Sequence, residues 1–132
     1  KEVADRLCAG AGSKDYGALT VAVGAFYEAK KIIDVNRTMF CPVPNVDSAV
    51  VLMTRREGGA PEDPVLFSRV VRSAFAMRRK TLVNNLMASF ALPRETCEKV
   101  LEGCGLSITV RGEALSREEF IALATSLRGF VR

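Results

Sequence analysis

The chain has 132 residues, 48% of them hydrophobic and 26% charged, enough for one compact domain or a small domain with part of another, and too apolar for wholesale disorder. Its 19 Lys and Arg against 15 Asp and Glu leave a net charge of +4, too mild by itself to demand a polyanionic partner. With no histidine, and four cysteines of which none forms a Cys-x-x-Cys pair, zinc sites and Cys–His nucleophiles are poorly supported.

In chain order, Val3, Leu7 and Cys8 fall on one helical stripe with charges between them, so the chain opens in a short helix. No signal peptide and no bilayer-length apolar run is visible, and without an initiator Met the chain reads as a fragment. Ala9-Gly10-Ala11-Gly12 stops the helix. It is not a phosphate loop, which needs a strand before it. Leu19, Val23, Phe26 and Tyr27 predict a helix from about Gly17 to Tyr27. The β-branched Ile32, Ile33 and Val35 make Ala29–Val35 a strand. Two prolines exclude a helix from Asn36–Pro44. The continuous apolar run Asp47–Thr54 predicts a strand buried on both faces. Two strands joined by a stiff loop suggest the edge of an α/β sheet.

Arg55–Pro64 is charged, then rich in Gly and Pro, and is the best domain boundary. Beyond it the pattern turns helical. Phe67, Val70, Val71, Ala74 and Phe75 form a stripe that Leu82 and Leu86 continue, predicting one long helix. Pro93 starts a second, with Cys97, Val100 and Leu101 as its face, and Gly103-Cys104-Gly105 ends it. Ser116 and Glu119 form a capping box. Phe120, Leu123, Ala124 and Leu127 then face inward from a last helix.

No catalytic acid–base or nucleophile set stands out. Asp47 reads as a turn or capping residue, and Ser48 has no histidine to activate it. The four scattered cysteines read as buried free thiols of a reducing compartment. Phe40 is presented by the rigid loop Phe40-Cys41-Pro42-Val43-Pro44. There it can stack on a flat ligand, or plug a core or pack under the loop, and the residues alone favour the packed readings. Between Pro64 and Phe90 stand five basic residues (Arg69, Arg72, Arg78, Arg79, Lys80) and no acidic one. On one helix these are equally a nucleic-acid footprint or a solvated face. Three consecutive cations cannot share one helical face, so one of Arg78, Arg79 and Lys80 is expected to snorkel or pair within the protein. Asn84 and Asn85 are open to RNA contact, capping or a polar core role. Lys30 and Lys31 discourage edge pairing.

Five segments in order resemble the adenine dimethyltransferases of small-subunit ribosomal RNA. They are Lys1-Glu2-Val3-Ala4-Asp5-Arg6-Leu7, Tyr16-Gly17-Ala18-Leu19, the stretch from Phe40-Cys41-Pro42 to Val51, the stretch from Phe75 to Leu86, and Arg111-Gly112-Glu113-Ala114-Leu115-Ser116. The resemblance implies the end of a Rossmann-like class I methyltransferase sheet (residues 1–57), a linker (58–64) and a small all-α C-terminal domain that docks on RNA (65–132).

It also implies an enzyme that uses S-adenosylmethionine to dimethylate two adjacent adenines near the 3′ end of 16S rRNA in the small ribosomal subunit, with the target base flipped out of the stack. In that picture Phe40 stacks on the adenine, and Arg78, Arg79, Lys80 and Asn84 contact ribosomal RNA. The S-adenosylmethionine site and an Asn-Leu-Pro-Tyr motif lie in a missing N-terminal half, so the chain alone is expected to be inactive. The full-length protein is expected to be a cytoplasmic monomer with no metal and no membrane association. Two alternatives stay open: an erythromycin-resistance-type 23S rRNA adenine methyltransferase, and a non-catalytic nucleic-acid-binding module.

Overall fold

The apolar stripes become helices and a strand pair in the computed structural model, which describes residues 2–130. Lys1, the first residue of the opening motif, and Val131 and Arg132 lie outside the described residues. In order come α1 (Glu2–Leu7), α2 (Ala18–Gly24), β1 (Tyr27–Val35), β2 (Ser48–Arg55), α3 (Pro64–Ala74), α4 (Leu82–Phe90), α5 (Arg94–Gly103) and α6 (Arg117–Leu127). Short 3-10 turns occupy Arg37–Met39 and Gly112–Ala114.

The strands pair antiparallel, from Tyr27 opposite Arg55 to Val35 opposite Ser48, with a bulge between Lys31 and Ile33. β1 starts two residues earlier than the β-branched run suggests, and α2 stops at Gly24 rather than Tyr27. Pairing with Arg55 recruits Tyr27 into the ladder. The carbonyls of Gly24 and Ala25, which would continue α2, are taken by Arg117 at 2.9 and 2.8 Å. Arg56 adds a second bond to the Gly24 carbonyl at 2.7 Å.

Burial of β2 on both faces is not found. Ile33, Val50 and Leu52, which register and alternation put on one face, are 49, 48 and 52% exposed. α1 and α2 pack on the strand pair, and Lys31 reaches Asp5 of α1 at 3.0 Å and Asp34 at 3.1 Å. Lys31 is therefore an intramolecular tie as well as an edge charge.

The predicted long helix is two helices. α3 ends at Ala74 and α4 begins at Leu82. Three contacts from other places break it. The Asn85 carboxamide donates to the carbonyls of Ala74 and Met77 at 3.2 and 3.1 Å. Thr81 caps α4, its Oγ1 accepting from Asn84 N–H at 3.3 Å. Gly112 lies against the end of α3, where a Cβ would stand 2.6 Å from the Ala74 carbonyl oxygen. A side chain there would push the two segments apart.

Other signals formed as read. Asp63 caps α3 through Leu66 N–H at 3.1 Å, with Pro64 in the first turn. Pro93 precedes α5, and Gly105, at φ +74°, stands just past its end. Ser116 N–H donates to Glu119 Oε1 at 2.9 Å while Glu119 N–H donates to Ser116 Oγ at 3.3 Å, the reciprocal box at the start of α6.

One apolar core unites the helices: Phe67, Val70 and Val71 of α3, Leu82 and Leu86 of α4, Leu101 of α5, and Phe120, Leu123 and Leu127 of α6. Tyr16, Val21 and Ala25, from before the strands, belong to the same core. The cysteines divide. Cys97 is buried, which raises its thiol pKa. Cys104 is partly buried, whereas Cys8 and Cys41 are exposed because they sit at a helix end and in the prolyl loop. The expectation of four buried thiols holds for one.

Candidate nucleic-acid interface

The prolyl loop is built by its own polar residues. Asn36 Oδ1 accepts from Thr38 N–H at 3.0 Å and Thr38 Oγ1 at 2.9 Å, starting the 3-10 turn. Asp47 closes the loop from the far side, accepting from Arg37 N–H at 2.8 Å. The Arg37 guanidinium donates to the Asn45 carbonyl at 3.4 Å. Asp47 is thus a loop-closing residue, consistent with its reading as a turn or capping group.

Phe40 lies at the end of that turn, followed by a cis Cys41–Pro42 peptide. It is 43% exposed, so it does not plug the core. Met39, Val43 and Val46 around it are also exposed. An open cleft of about 570 Å³ separates this loop from α1, with Arg37, Asn45 and Asp47 on one wall and Glu2, Val3 and Asp5 on the other.

The basic triplet stands in a different place from the one expected. Arg78, Arg79 and Lys80 lie in the turn between α3 and α4, not on a helix. The turn is pinned on several sides. Phe75 packs edge-on to Tyr16, with centroids 6.0 Å apart, and tilted to Phe120 at 5.9 Å. Lys80 N–H donates to the Met77 carbonyl at 3.0 Å, and Leu82 N–H to the Val110 carbonyl at 2.8 Å. The Arg78 guanidinium donates to the carbonyls of Tyr16 and Lys14 at 3.1 and 3.4 Å.

One of the three cations is therefore tied into the protein, one of the two outcomes expected, although for a turn the reason is carbonyl capture rather than helical geometry. Arg79 and Lys80 are exposed, and among the described residues no ion pair includes either. Arg78 also brings its charge beside Arg6 and Lys14 on a recess of about 350 Å³. No sequence signal joins those three, since Lys14 and Arg78 are 64 residues apart.

Asn84 is half-buried on α4, its Oδ1 accepting from the Arg94 guanidinium at 2.9 Å. Asn85 is 1% exposed and serves the core. The prolyl loop and Arg78 of the basic turn border different recesses, the first against α1 and the second against Tyr16 and the start of α2.

Among the described residues, the connection that most resembles a glycine cradle for S-adenosylmethionine is occupied by the protein's own groups. The one strand-to-helix connection with adjacent glycines is Gly58-Gly59, between β2 and α3. There the Gly59 carbonyl is held by Arg117 at 2.9 Å, and the first turn of α3 is closed by the Asp63 carboxylate. Among the described residues no cluster of three or more His, Cys, Asp and Glu could hold a metal ion, and no helix is long and apolar enough to cross a membrane.

The ribosomal RNA adenine dimethylase family matches residues 1–128. The chain is 47% identical over 139 aligned positions to the ribosomal RNA small subunit methyltransferase A of Geobacillus thermodenitrificans (strain NG80-2), covering 100% of the chain and 47% of that protein. It is 48% identical to the protein of the same name from Streptococcus pneumoniae (strain P1031), covering 98% of the chain and 46% of that protein. The chain therefore spans about half the length of these relatives. Among solved structures it superposes on a dimethyladenosine transferase from Plasmodium falciparum with a TM-score of 0.85 and 26% identity, over 98% of this chain and 55% of that one. It also superposes on the 23S rRNA methyltransferase ErmE with a TM-score of 0.61 and 25% identity, over 96% of this chain and 51% of that one. The match across nearly the whole chain and the identity to these relatives agree: the chain belongs to the ribosomal RNA adenine dimethylase family.

Proposed function

We propose that the chain is the C-terminal half of an S-adenosylmethionine-dependent enzyme that dimethylates two adjacent adenines near the 3′ end of 16S rRNA during small-subunit assembly. In this reading residues 1–57 complete the Rossmann-like sheet, 58–64 link, and 65–132 dock on RNA. The methyl donor is held outside these residues, so the chain alone is inactive. The full-length protein works as a cytoplasmic monomer.

The observation that carries the docking role is the basic turn: Arg79 and Lys80 stand exposed and uncompensated on a segment that Arg78, Phe75 and Asn85 hold fixed. A fixed turn loses little side-chain and backbone freedom on binding, which leaves more of each phosphate interaction as affinity. Asn84 joins this surface from the first turn of α4. Phe40, exposed on a loop closed at both ends, offers a ring face to a base displaced from its stack. The small-subunit assignment rests on the names of the relatives at 47–48% identity. It rests also on the higher TM-score to the dimethyladenosine transferase than to the 23S enzyme, 0.85 against 0.61.

The test pairs two variants in the full-length enzyme. Arg79→Glu with Lys80→Glu should weaken binding to small ribosomal subunits and flatten its salt dependence by about 0.7–0.9 in logarithmic slope for each phosphate left without its cation. Phe40→Ala should bind subunits normally, keep its affinity for S-adenosylmethionine, and transfer methyl groups about 5- to 150-fold more slowly, the equivalent of roughly 1–3 kcal/mol of base stacking. Unchanged subunit affinity in the first variant, or normal turnover in the second, removes the role assigned to that site.

A further inference from the structure

α3 carries two more cations on the side away from the core. Its buried residues include Leu66, Phe67, Val70, Val71 and Ala74. Arg69 and Arg72, three positions apart, are neighbours on its surface. They border an open groove of about 250 Å³ between α3 and α4, completed by Ser73, Ala76, Ser89 and Phe90. The Arg69 guanidinium carbon sits 4.8 Å from the centroid of the Phe90 ring. That cation–π contact sets the plane of the guanidinium before any ligand arrives.

Like the basic turn, the groove is uncompensated. No carboxylate lines it, and among the described residues no ion pair includes Arg69 or Arg72. Several cations elsewhere are answered: Arg6 by Glu2, Arg94 by Glu98, Lys99 by Glu95 and Arg128 by Glu62. Two guanidiniums one turn apart with no acid between them repel each other, and an anion relieves that repulsion. The groove also leads into the basic turn, since Ala76 lines it and Arg79 follows three residues later. Its open shape suits a backbone passing over it better than an enclosed small molecule.

We propose that the α3–α4 groove is a second RNA-backbone site, in which Arg69 and Arg72 each take a phosphate and the Phe90 ring pre-orients Arg69. This rests on the reading of the turn as an RNA-docking surface and extends that surface along α3. Arg69 is the more selective partner, because its fork is fixed by the ring. Arg72, exposed on the same helix, acts as a charge.

The experiment measures binding of the intact protein to purified small ribosomal subunits across a salt series, with Arg69→Gln/Arg72→Gln, Phe90→Leu and Arg79→Gln/Lys80→Gln as variants. The groove pair should lower affinity by about tenfold for each charge-assisted hydrogen bond removed. It should also reduce the salt slope by about 1.5, as two phosphates left without cations require. Phe90→Leu should weaken binding by a smaller factor with the slope unchanged, because the charges remain. Wild-type affinity and slope in the groove pair, with weakened binding in the turn pair, overturns this proposal and leaves the docking turn standing. No change in either pair overturns both. Displacement of the subunits by poly-glutamate as readily as by ribosomal RNA of matched charge also overturns it, since the groove would then take acidic protein segments. Unfolding midpoints equal to wild type confirm that the variants fold.

Discussion

The helical part and the strand pair are both built from apolar sequence, yet they end in opposite conditions. Phe67, Phe120, Leu82, Leu101 and Leu123 are almost wholly buried. Ile33, Val50 and Leu52 are about half open. The helices pack against one another and seal a common core, whereas the two strands present two faces and, among the described residues, are packed mainly by α1 and α2. A β-strand rich in branched residues on both faces belongs to the interior of a larger sheet, which fits the Rossmann-like assignment proposed for residues 1–57. The contrast is therefore one of self-sufficiency, and it is breakable. In this chain Phe120→Ala should cost about 3–5 kcal/mol by denaturant unfolding, while Leu52→Ala should stay within about 0.5 kcal/mol. Equal losses would mean that the strand pair is as much a part of the folding unit as the helices.

Within the helical part, the fixed turn is the next point of comparison. Asn85 donates from its buried carboxamide to Ala74 and Met77, and Ser73 Oγ donates to the Asn85 carbonyl at 3.0 Å. Among the described residues the Asn85 Oδ1 has no hydrogen-bond partner, so the carboxamide is placed by its two donated bonds. Asn85→Ala should cost about 1–3 kcal/mol and speed amide exchange at Lys80, whose N–H bonds to Met77 within the turn. Asn85→Asp should be worse than Ala, because a carboxylate then faces two carbonyl oxygens. A neutral Ala variant with unchanged exchange would show that the turn is held by Phe75 and Arg78 instead.

The same residues explain what could be read from the sequence. The faces of α3, α5 and α6 and the Ser116–Glu119 box are local signals, and all appear where spacing put them. The break between Ala74 and Leu82 is not local. Phe75, Leu82 and Leu86 happen to continue the helical period, while the groups that stop the helix are Asn85, Thr81 and Gly112. Likewise, Arg78 lies 62 residues from Tyr16, and no spacing rule joins them. The basic triplet was legible as composition but not as a turn. Phe40 was legible as an aromatic on a stiff loop, but its exposure depends on Asp47 closing that loop. The openness of β2 was not legible at all, because an apolar run specifies what a strand can bury and not what is present to bury it.

Tyr16 links the two regions and gives the smallest and most specific test. It precedes α2 but is buried in the helical core, its hydroxyl donating to the Leu115 carbonyl at 2.6 Å. Burial first, then the negative charges of Glu118 and Glu119, push its pKa up from 10.0 to about 12. The neutral phenol is thus favoured in the folded state. The stabilisation is fully present below pH 10 and is lost as the pH rises from there towards 12, because the unfolded chain releases the proton first. Tyr16→Phe should cost about 1 kcal/mol at neutral pH through loss of the hydrogen bond. Above about pH 10 the gap between the two proteins should shrink, since only the wild type has a phenol whose proton the unfolded chain gives up more readily. A gap that stays constant through about pH 11 in thermal unfolding would mean that Tyr16 titrates like a solvent-exposed phenol, and that the segment before α2 is less firmly seated on the helices than its burial indicates.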